Sequence, residues 1–196
     1  MEIRNIFYRL AALVLLIFLS PIFLLFYILV KMSSQGSFIF KQKRMGKNKK
    51  IFIIYKIRTM VEGADDLKLK YKHLNEYKPP IFKISNDPRY TRIGRFLAHT
   101  GFDEIPQLVN VLSGDMSLVG PRALPVSEAE DIPLKYNARF SVLPGIIPPW
   151  LAFGHNALKS EAWLKLDLKY VADYSFWTDI KIFAGSAKYI LGSLFK

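Results

Sequence analysis

The chain has 196 residues, and its 28 lysines and arginines outnumber 16 acidic residues to give a formal net charge of +12. A content of 51% hydrophobic residues, with 14% aromatic, excludes a disordered polycation. The absence of cysteine excludes disulfide frameworks, thiol nucleophiles and cysteine-ligated zinc, and it fits a reducing compartment.

The excess of positive charge lies in the first third of the chain. Between Ile3 and Val61 there is no acidic residue, and eleven basic residues occur there. The remainder carries 17 basic and 16 acidic residues, so it is nearly neutral. This distribution predicts an anionic partner for the basic third.

An uncharged run of 21 residues, Leu10 to Val30, follows the first basic residues. As a straight helix it would be about 32 Å long, which matches the hydrocarbon core of a bilayer. A cleaved signal peptide is disfavoured, because the apolar core is too long and no small-x-small cleavage site follows it. The sequence therefore predicts one membrane segment, with the remainder forming one domain of ordinary size.

Two features of this run argue against a helix that crosses the bilayer. Ser20-Pro21 lies at its midpoint, where the proline cannot donate to the carbonyl of Ile17 and should kink the helix. Both flanks are basic, with Arg4 and Arg9 before the run and Lys31 after it, which favours keeping both ends in the cytoplasm. The residues favour a re-entrant helix that breaks at Ser20-Pro21 and leave a spanning helix as the alternative.

Ser37 to Tyr55 is predicted to form a β-hairpin, because two aromatic and β-branched runs flank a turn at residues 44–48. The basic cluster of residues 41–50 would lie against anionic lipid headgroups, where each basic residue contributes about 1 kcal/mol. Nucleic acid is the competing anionic partner. The adjoining apolar run favours the lipid surface.

Further elements are predicted in chain order. Residues 62–77 are expected to be helical, residues 106–112 form a helix that ends at Ser113-Gly114-Asp115, and residues 116–119 form a short strand. Residues 144–154 are expected to be a loop. Near the end of the chain, apolar residues recur at steps of four and three, which predicts an amphipathic helix that lies in the membrane interface or packs on the core. These residues are Phe176, Ile180, Phe183, Ala187, Ile190 and Leu194.

A pair of carboxylates and three cations are the candidates for chemistry. Asp103 and Glu104 directly precede a predicted helix, where they either approach one pocket or serve as an N-cap and a first-turn acid. Arg122 lies in a tight turn and presents a guanidinium suited to phosphate. Lys56 and Arg58 occupy alternate positions of a strand and so share a face. Because they follow a membrane segment, these groups suggest phosphate chemistry, in which a carboxylate is a covalent nucleophile or an Mg²⁺ ligand. The alternative for the cations is that they are solvated surface charges.

The ordered set of motifs resembles the bacterial sugar transferases, the monotopic phosphoglycosyl transferases that start glycan assembly on polyprenol phosphate. Each motif alone is weak, but their order covers nearly the whole chain. The motifs are Ser20-Pro21, Gly46-Lys47-Asn48, Tyr55–Met60, Asn86–Arg89, Thr91–Gly94, Asp103–Val111 and Gly114–Arg122. The family also uses the Ser20-Pro21 break to form a re-entrant helix.

This resemblance implies a reaction with a covalent intermediate. Asp103 would attack the β-phosphate of a UDP-sugar, UMP would leave, and polyprenol phosphate would then take the sugar phosphate from the enzyme. Glu104 would position Asp103 or handle protons and the metal, and Mg²⁺ would bridge the carboxylate and the diphosphate. The implied phosphate-binding residues are Arg122, Lys56, Arg58 and Arg139.

The expected fold is α/β, with a small sheet or hairpin, surrounding helices, and amphipathic helices in the interface. Residues 1–34 would form the re-entrant membrane helix, and residues 35–196 the catalytic domain with its C-terminal amphipathic helix. The protein is expected to be located on the cytoplasmic face of the bacterial inner membrane. The expected partners are a UDP-sugar, polyprenol phosphate (undecaprenyl phosphate being the favoured form) and anionic lipid, but not nucleic acid. The sequence leaves monomer and homodimer open.

Three stretches depart from the family pattern. Ala98-His99 stands where the family commonly has basic residues, Ala123 replaces a proline, and Pro148-Pro149-Trp150 replaces a pattern of Thr-Gly followed by Trp-Gln. No role is transferred to the last stretch. Two rival functions remain, a glycosyl transferase that releases UDP and a non-catalytic membrane adaptor of the same fold.

Overall fold

The fold combines one long N-terminal helix with short helices and two small β-sheets. The computed structural model describes residues 2–77, 79–153 and 160–194. Its α-helices are α1 (Glu2–Ser33), α2 (Arg92–Thr100), α3 (Gln107–Ser113), α4 (Val126–Glu130), α5 (Ser160–Ala172) and α6 (Phe176–Leu194). The strands are β1 (Ile39–Met45), β2 (Ile51–Ile57), β3 (Ser117–Val119), β4 (Leu124–Pro125) and β5 (Gly145–Ile147). The predicted mixture of helices and small sheets is thus confirmed.

Strands β1 and β2 form the predicted hairpin and pair antiparallel along their whole length. Arg44 and Met45, which were expected in the turn, belong to β1 instead. The chain reverses over residues 46–50, where Asn48 and Lys49 adopt φ angles of 53° and 61°. Strand β4 adds to the other edge of β1, and β3 pairs parallel with β5 in a second sheet.

The segment that carries the two carboxylates is a 3₁₀ turn, Phe102–Glu104, held between two helices. Helix α2 ends at Gly101, whose φ of 76° lets the chain leave the helix at once. Helix α3 ends at Gly114, with a φ of 87°. Three predictions are confirmed to within one residue: the helix over 106–112, its end at Ser113-Gly114-Asp115, and the strand over 116–119.

The prediction of a helix over residues 62–77 was wrong. The segment consists of turns and a single 3₁₀ helix, Lys72–Leu74. A surface helix gains most of its stability by burying an apolar stripe, and this segment buries none: Leu69, for example, is 81% exposed. Residues 144–153, expected to be a loop, contain β5 and a 3₁₀ helix, Pro149–Phe153; Gly154 lies outside the described residues.

Helix α1 continues without interruption through Ser20-Pro21, which corrects the expectation of a break in helical structure there. The hydroxyl of Ser20 donates a hydrogen bond of 2.8 Å to the carbonyl of Ile17. This is the carbonyl that Pro21 leaves without a backbone donor, so the serine replaces the missing bond. The re-entrant path through a bilayer stays a prediction.

Helix α1 contacts the rest of the protein through one stripe that extends over its whole length. Tyr8 and Ala12 pack with residues of β2 and α3, and Phe26 and Val30 pack with residues of β2 and α2. The other faces are exposed and apolar, with Phe18 at 77%. In the described part of the chain, α1 is the one helix long and apolar enough to cross a membrane.

The predicted amphipathic helix at the end of the chain is confirmed as α6, but its apolar stripe faces outward. Phe176, Ile180 and Phe183 are 40%, 42% and 57% exposed. A neighbouring face of the helix is the one that packs, through Ile182 and the buried carboxylate of Asp179. The side chain of Leu194 lies outside the described residues. Packing of the stripe on the core is therefore excluded for these three positions.

Candidate active site

The carboxylates of Asp103 and Glu104 converge on the ammonium group of Lys56. Lys56 Nζ lies 2.6 Å from Glu104 Oε1 and 3.4 Å from Asp103 Oδ2. Strand β2 supplies the lysine, and the 3₁₀ turn between α2 and α3 supplies the carboxylates. Gly101 and Pro106 hold the cap positions of that turn and of α3, so neither carboxylate serves as a helix cap.

Arg122 joins this pair through Glu104. Its Nη1 lies 3.3 Å from Glu104 Oε1, so one carboxylate oxygen is shared by the cations of Lys56 and Arg122. The arginine reaches this position because Gly120 lets the preceding turn lie directly against the strand β5 region. A Cβ atom at Gly120 would come within 2.6 Å of the Leu143 carbonyl oxygen. The structure thus brings together four of the predicted residues: Asp103, Glu104, Lys56 and Arg122.

The two neighbouring carboxylates have opposite electrostatic environments. Burial raises the pKa of Asp103, and the adjacent charge of Glu104 raises it further, against the opposing effect of Lys56. Burial also opposes ionisation of Glu104, but the cations Lys56 and Arg122 outweigh it and lower its pKa to about 2. Glu104 is therefore a fixed anion matched by two cations, while Asp103 is a buried carboxylate of raised basicity.

Two cations of this region were missed by the sequence interpretation. Arg44, assigned to the headgroup-binding cluster, points inward: its Nη1 donates to the Ala123 carbonyl at 2.8 Å, and burial and the nearby Arg122 lower its pKa to about 10. Burial, followed by the charge of Arg122, lowers the pKa of Lys83 to about 8. Neither position stands out in the sequence. Long-range packing is what brings both cations near the guanidinium of Arg122.

Two predicted phosphate ligands have other partners in the structure. Arg58 donates from Nε to the Ser37 carbonyl at 2.7 Å and from Nη2 to the Ser37 hydroxyl at 3.0 Å. It lies one residue past the end of β2, and its described hydrogen bonds go to Ser37 rather than to the carboxylate pair. Arg139 is buried, with Nε and Nη2 donating to Asp167 Oδ2 at 3.0 and 2.8 Å. Its Nη2 also donates to the backbone carbonyl of Arg122 at 2.9 Å, which supports that residue's turn.

The Asn86–Arg89 motif is a structural turn. The guanidinium of Arg89 makes a bidentate pair with buried Asp87, through Nε to Oδ1 at 2.9 Å and Nη2 to Oδ2 at 2.6 Å. Its Nη1 donates to the carbonyl of Ala64 at 3.0 Å. These bonds fix the chain reversal that leads into Tyr90 and α2.

The stretches that depart from the family pattern lie at different places. His99 is exposed at the end of α2, where its ring nitrogen Nδ1 contacts the Arg95 carbonyl at 2.7 Å, and no described bond joins it to the carboxylates. Ala123 is buried beside Arg44. Trp150 is buried and stacks on Trp163, with ring centroids 4.3 Å apart. The stretch Pro148-Pro149-Trp150 therefore forms part of the core beside Lys83, whose ammonium lies 6.0 Å from the centre of the Trp150 ring.

The predicted Mg²⁺ site can be tested against the donors that are present. Over residues 2–77, 79–153 and 160–194, no group of three or more histidines and carboxylates could hold a metal. Two adjacent carboxylates still fit Mg²⁺, because proteins often bind it with one or two carboxylates and leave the other positions to substrate phosphates and water. Asp103 and Glu104 are the side chains that would hold the ion.

For the reaction that the sequence leads us to expect, replacing Lys56 with Gln should move the acid limb of the pH–rate profile for UMP release to higher pH. An attacking carboxylate must be ionised, so the rate rises with pH through the pKa of Asp103. The Lys56 cation holds that pKa down against burial, and its removal raises the pKa. The profile should be measured with saturating UDP-sugar. Lys72→Gln, which removes the same charge from an exposed turn, should leave the midpoint in place; an unmoved midpoint in Lys56→Gln would contradict this role.

The chain thus joins one long helix with outward apolar faces to a small mixed domain in which two carboxylates and two cations converge. Comparison with known families gives the family: the sequence model of the bacterial sugar transferases matches residues 2–193. The chain belongs to the bacterial sugar transferase family.

Three curated relatives illustrate the similarity. The galactosyl transferase CpsE of Streptococcus agalactiae serotype III is 41% identical over 80% of the chain and 35% of its own length. The undecaprenyl-phosphate galactose phosphotransferase of Salmonella typhimurium is 35% identical over 96% of the chain and 40% of its own length. The UDP-glucose:undecaprenyl-phosphate glucose-1-phosphate transferase of Escherichia coli K12 is 37% identical over 88% of the chain and 36% of its own length. The chain thus spans 35–40% of these relatives.

Proposed function

We propose that this chain transfers a sugar 1-phosphate from a UDP-sugar to polyprenol phosphate in the assembly of a bacterial polysaccharide. The observation that carries the proposal is the site itself: Lys56 contacts two carboxylates, the buried Asp103, whose pKa is raised, and Glu104, whose pKa is lowered by Lys56 and Arg122. The printed names of the Salmonella and Escherichia relatives describe phosphotransfer to undecaprenyl phosphate, which agrees with it.

In the first half-reaction, an Asp103 carboxylate oxygen attacks the β-phosphorus of the UDP-sugar. A bond forms between this oxygen and phosphorus, the bond from phosphorus to the bridging oxygen breaks, and UMP leaves with the bonding electron pair. The enzyme then carries the sugar phosphate as an acyl phosphate on Asp103. Lys56 and Arg122 are placed to stabilise the negative charge that develops on the phosphoryl oxygens.

In the second half-reaction, an oxygen of polyprenol phosphate attacks the same phosphorus. The bond between phosphorus and the Asp103 oxygen breaks, the carboxylate is restored, and a polyprenol diphosphate sugar is released. Asp103 and Glu104 would hold Mg²⁺, whose charge would offset that of the diphosphate. Glu104 keeps Lys56 and Arg122 in position through the shared oxygen Oε1.

We place the domain on the cytoplasmic face of the bacterial inner membrane, with α1 as a re-entrant helix. Support comes from the contacts of α1, because its two ends pack against the same domain. Near the N-terminal end, Tyr8 donates to Asp179 Oδ2 at 2.6 Å and Arg4 lies 3.3 Å from the same oxygen. A helix perpendicular to the bilayer could bring only one end to a domain on one face. The outward apolar stripe of α6 would lie in the interface beside it. Monomer and homodimer are equally compatible with this arrangement.

The topology predicts that the N-terminal end of α1 and the domain that follows it react with a thiol reagent from the same side of the membrane. Because the natural chain has no cysteine, a single introduced cysteine reports one position. Ile6→Cys and Leu69→Cys, at positions 57% and 81% exposed, should both be protected from a membrane-impermeant reagent in intact cells and labelled after permeabilisation. Labelling of Ile6→Cys alone in intact cells would establish a spanning helix.

The nucleotide product separates the proposed function from its rivals. Phosphoglycosyl transfer cleaves the diphosphate and releases UMP, a glycosyl transferase releases UDP, and an adaptor releases neither. The intact Asp-Glu pair and Arg122 argue against an adaptor. Purified protein, a panel of UDP-sugars and polyprenol phosphate should therefore give UMP in stoichiometric amount with the lipid product. UDP as the sole nucleotide product would overturn the proposal.

A further inference from the structure

The ammonium group of Lys83 has no carboxylate partner in the described part of the chain. No ion pair there includes it. The carboxylate of Glu76, whose charge acts on Lys83, instead accepts hydrogen bonds from the backbone N–H of Ser85 at 2.7 Å and from its hydroxyl at 2.6 Å. Lys83 is nevertheless half-buried, and a half-buried cation without a counter-ion costs free energy. Its ammonium group is therefore available to an anionic ligand.

Three aromatic rings hold this ammonium group in place. Lys83 Nζ lies 5.7 Å from the centre of the Trp163 ring, 5.8 Å from that of Tyr77 and 6.0 Å from that of Trp150. Trp150 and Trp163 are buried and stacked on each other. Aromatic faces at this distance attract a cation without neutralising its charge. The position of the ammonium group is thus fixed by the core, while its charge stays available.

One face of α5 links Lys83 to the turn that presents Arg122. Trp163 and Asp167 are four residues apart in α5 and so lie on the same face. Asp167 binds Arg139, whose Nη2 donates to the backbone carbonyl of Arg122 at 2.9 Å. The same helix face therefore supports both the ring beside the Lys83 ammonium and the turn of Arg122.

The charges around Lys83 place it at the Arg122 end of the candidate active site. Among the charged groups that act on Lys83, Arg122 has the strongest effect, ahead of Glu104 and Lys56. On Asp103 the strongest charge is instead that of Lys56. Because Lys56 and Arg122 share one oxygen of Glu104, the site extends from Asp103 at one end to Lys83 at the other.

This arrangement suits a donor with two phosphates. In phosphoryl transfer the attacking and leaving oxygens are roughly in line, on opposite sides of the phosphorus. Attack by Asp103 on the β-phosphorus would therefore direct the leaving α-phosphate away from Asp103, toward Arg122 and Lys83. That phosphate gains negative charge as the bond to the bridging oxygen breaks, and a fixed cation beside it favours its departure.

We propose that Lys83 binds the α-phosphate of the UDP-sugar and retains this contact with UMP as the nucleotide leaves. The inference rests on the proposed function and assigns to it a residue for the leaving group. The electron pair of the broken bond goes to the bridging oxygen, which departs with UMP. Lys83 contributes charge and a hydrogen bond, and no proton is transferred to or from it.

The test compares the Kd of UMP with the Kd of uridine, which lacks the phosphate, by titration calorimetry of the purified protein. Lys83→Met removes the charge and keeps an unbranched side chain against the rings, and Lys83→Arg keeps the charge. Lys70→Met is the control, because Lys70 Nζ also lies near an aromatic ring, 5.5 Å from the centre of Tyr71, in an exposed turn.

Lys83→Met should raise the Kd of UMP at least about tenfold, the effect of one lost hydrogen bond to a charged group. It should leave the Kd of uridine unchanged. Lys83→Arg should restore most of the affinity for UMP, and Lys70→Met should change neither Kd. An unchanged Kd of UMP in Lys83→Met would overturn the proposal. An equal rise for UMP and uridine would also overturn it, because Lys83 would then support the fold, and so would an equal rise in Lys70→Met.

The pH dependence of UMP binding to the wild-type protein tests the proposal without any variant. Burial and the charge of Arg122 lower the pKa of Lys83 to about 8, and the protonated form is the one that binds an anion. The affinity for UMP, relative to uridine, should therefore fall as the pH rises through about 8. The phosphate of UMP does not titrate in this range, since its second pKa is about 6. A constant ratio of the two affinities would overturn the proposal.

Four charged groups face Lys83: Arg122, Glu76, Glu104 and Lys56. The pKa of Arg122 is raised and those of Glu76 and Glu104 are lowered, so these three keep their charges near pH 8. The fall in affinity should therefore persist in Lys56→Gln, and its disappearance there would assign the titration to Lys56 and overturn the proposal. Absence of UMP release from the wild-type protein would instead refute the proposed function.

Discussion

Asp103→Asn is expected to abolish both UMP release and the covalent sugar-phosphate adduct. The amide is close in size to the carboxylate but is a far weaker nucleophile, so the acyl phosphate cannot form. Loss of a covalent nucleophile should lower the rate by at least ~10³-fold. Intact-protein mass spectrometry after incubation with the UDP-sugar, together with nucleotide analysis, measures both effects.

Glu104→Gln is the matched comparison for this variant. It removes the neighbouring carboxylate, whose role here is to hold Lys56 and Arg122, and it should therefore slow adduct formation without abolishing it. An adduct on Asp103→Asn at the wild-type rate would refute the nucleophile assignment. If only Glu104→Gln lost the adduct, Glu104 rather than Asp103 would be the nucleophile.

Arg139→Met is expected to destabilise the fold by about 3–5 kcal/mol, because it leaves Asp167 buried without its cation. Burial raises the pKa of Asp167, against the opposing charge of Arg139. The double variant Arg139→Met/Asp167→Leu removes both charges and should recover most of the stability. Denaturant unfolding in detergent, followed by tryptophan fluorescence, measures the difference.

The activity of the double variant shows whether Arg139 supports the turn of Arg122 or binds the substrate phosphate itself. In the structure Arg139 holds the carbonyl of Arg122, so its loss should raise the donor KM about tenfold, the effect of one such hydrogen bond. Arg122→Ala should have a larger effect on donor use and leave stability nearly unchanged, because its guanidinium is 34% exposed. A stable double variant without any activity would restore the sequence-based assignment of Arg139 as a phosphate ligand.

The features that the sequence predicted well are those with local signals. The hairpin follows from two β-branched runs around a turn, and helix α3 follows from its proline start and glycine end. The Asp103-Glu104 pair at a helix start and Arg122 in a tight turn were identified from local features, and the family resemblance then implied their roles; the fold brings the pair to Lys56 and Arg122 to Glu104. In these cases, neighbours in the sequence determine the conformation.

The features that the sequence did not predict depend on distant packing. Arg44 and Lys83 look like surface cations, yet burial and the field of Arg122 act on both. Arg139 has the sequence features of a ligand, but Asp167, 28 residues later, takes its guanidinium. The direction of the α6 stripe could not be read from its period either, because the buried Asp179 and its partner Tyr8 decide which face packs.

The destination of the β-phosphorus of the UDP-sugar tests the central claim most directly. Donor labelled with ³²P at the β-phosphate should transfer label to the protein when acceptor is absent, and to the lipid when polyprenol phosphate is added. The released nucleotide should be unlabelled UMP. Label that stays in UDP while the sugar reaches the lipid would contradict the account.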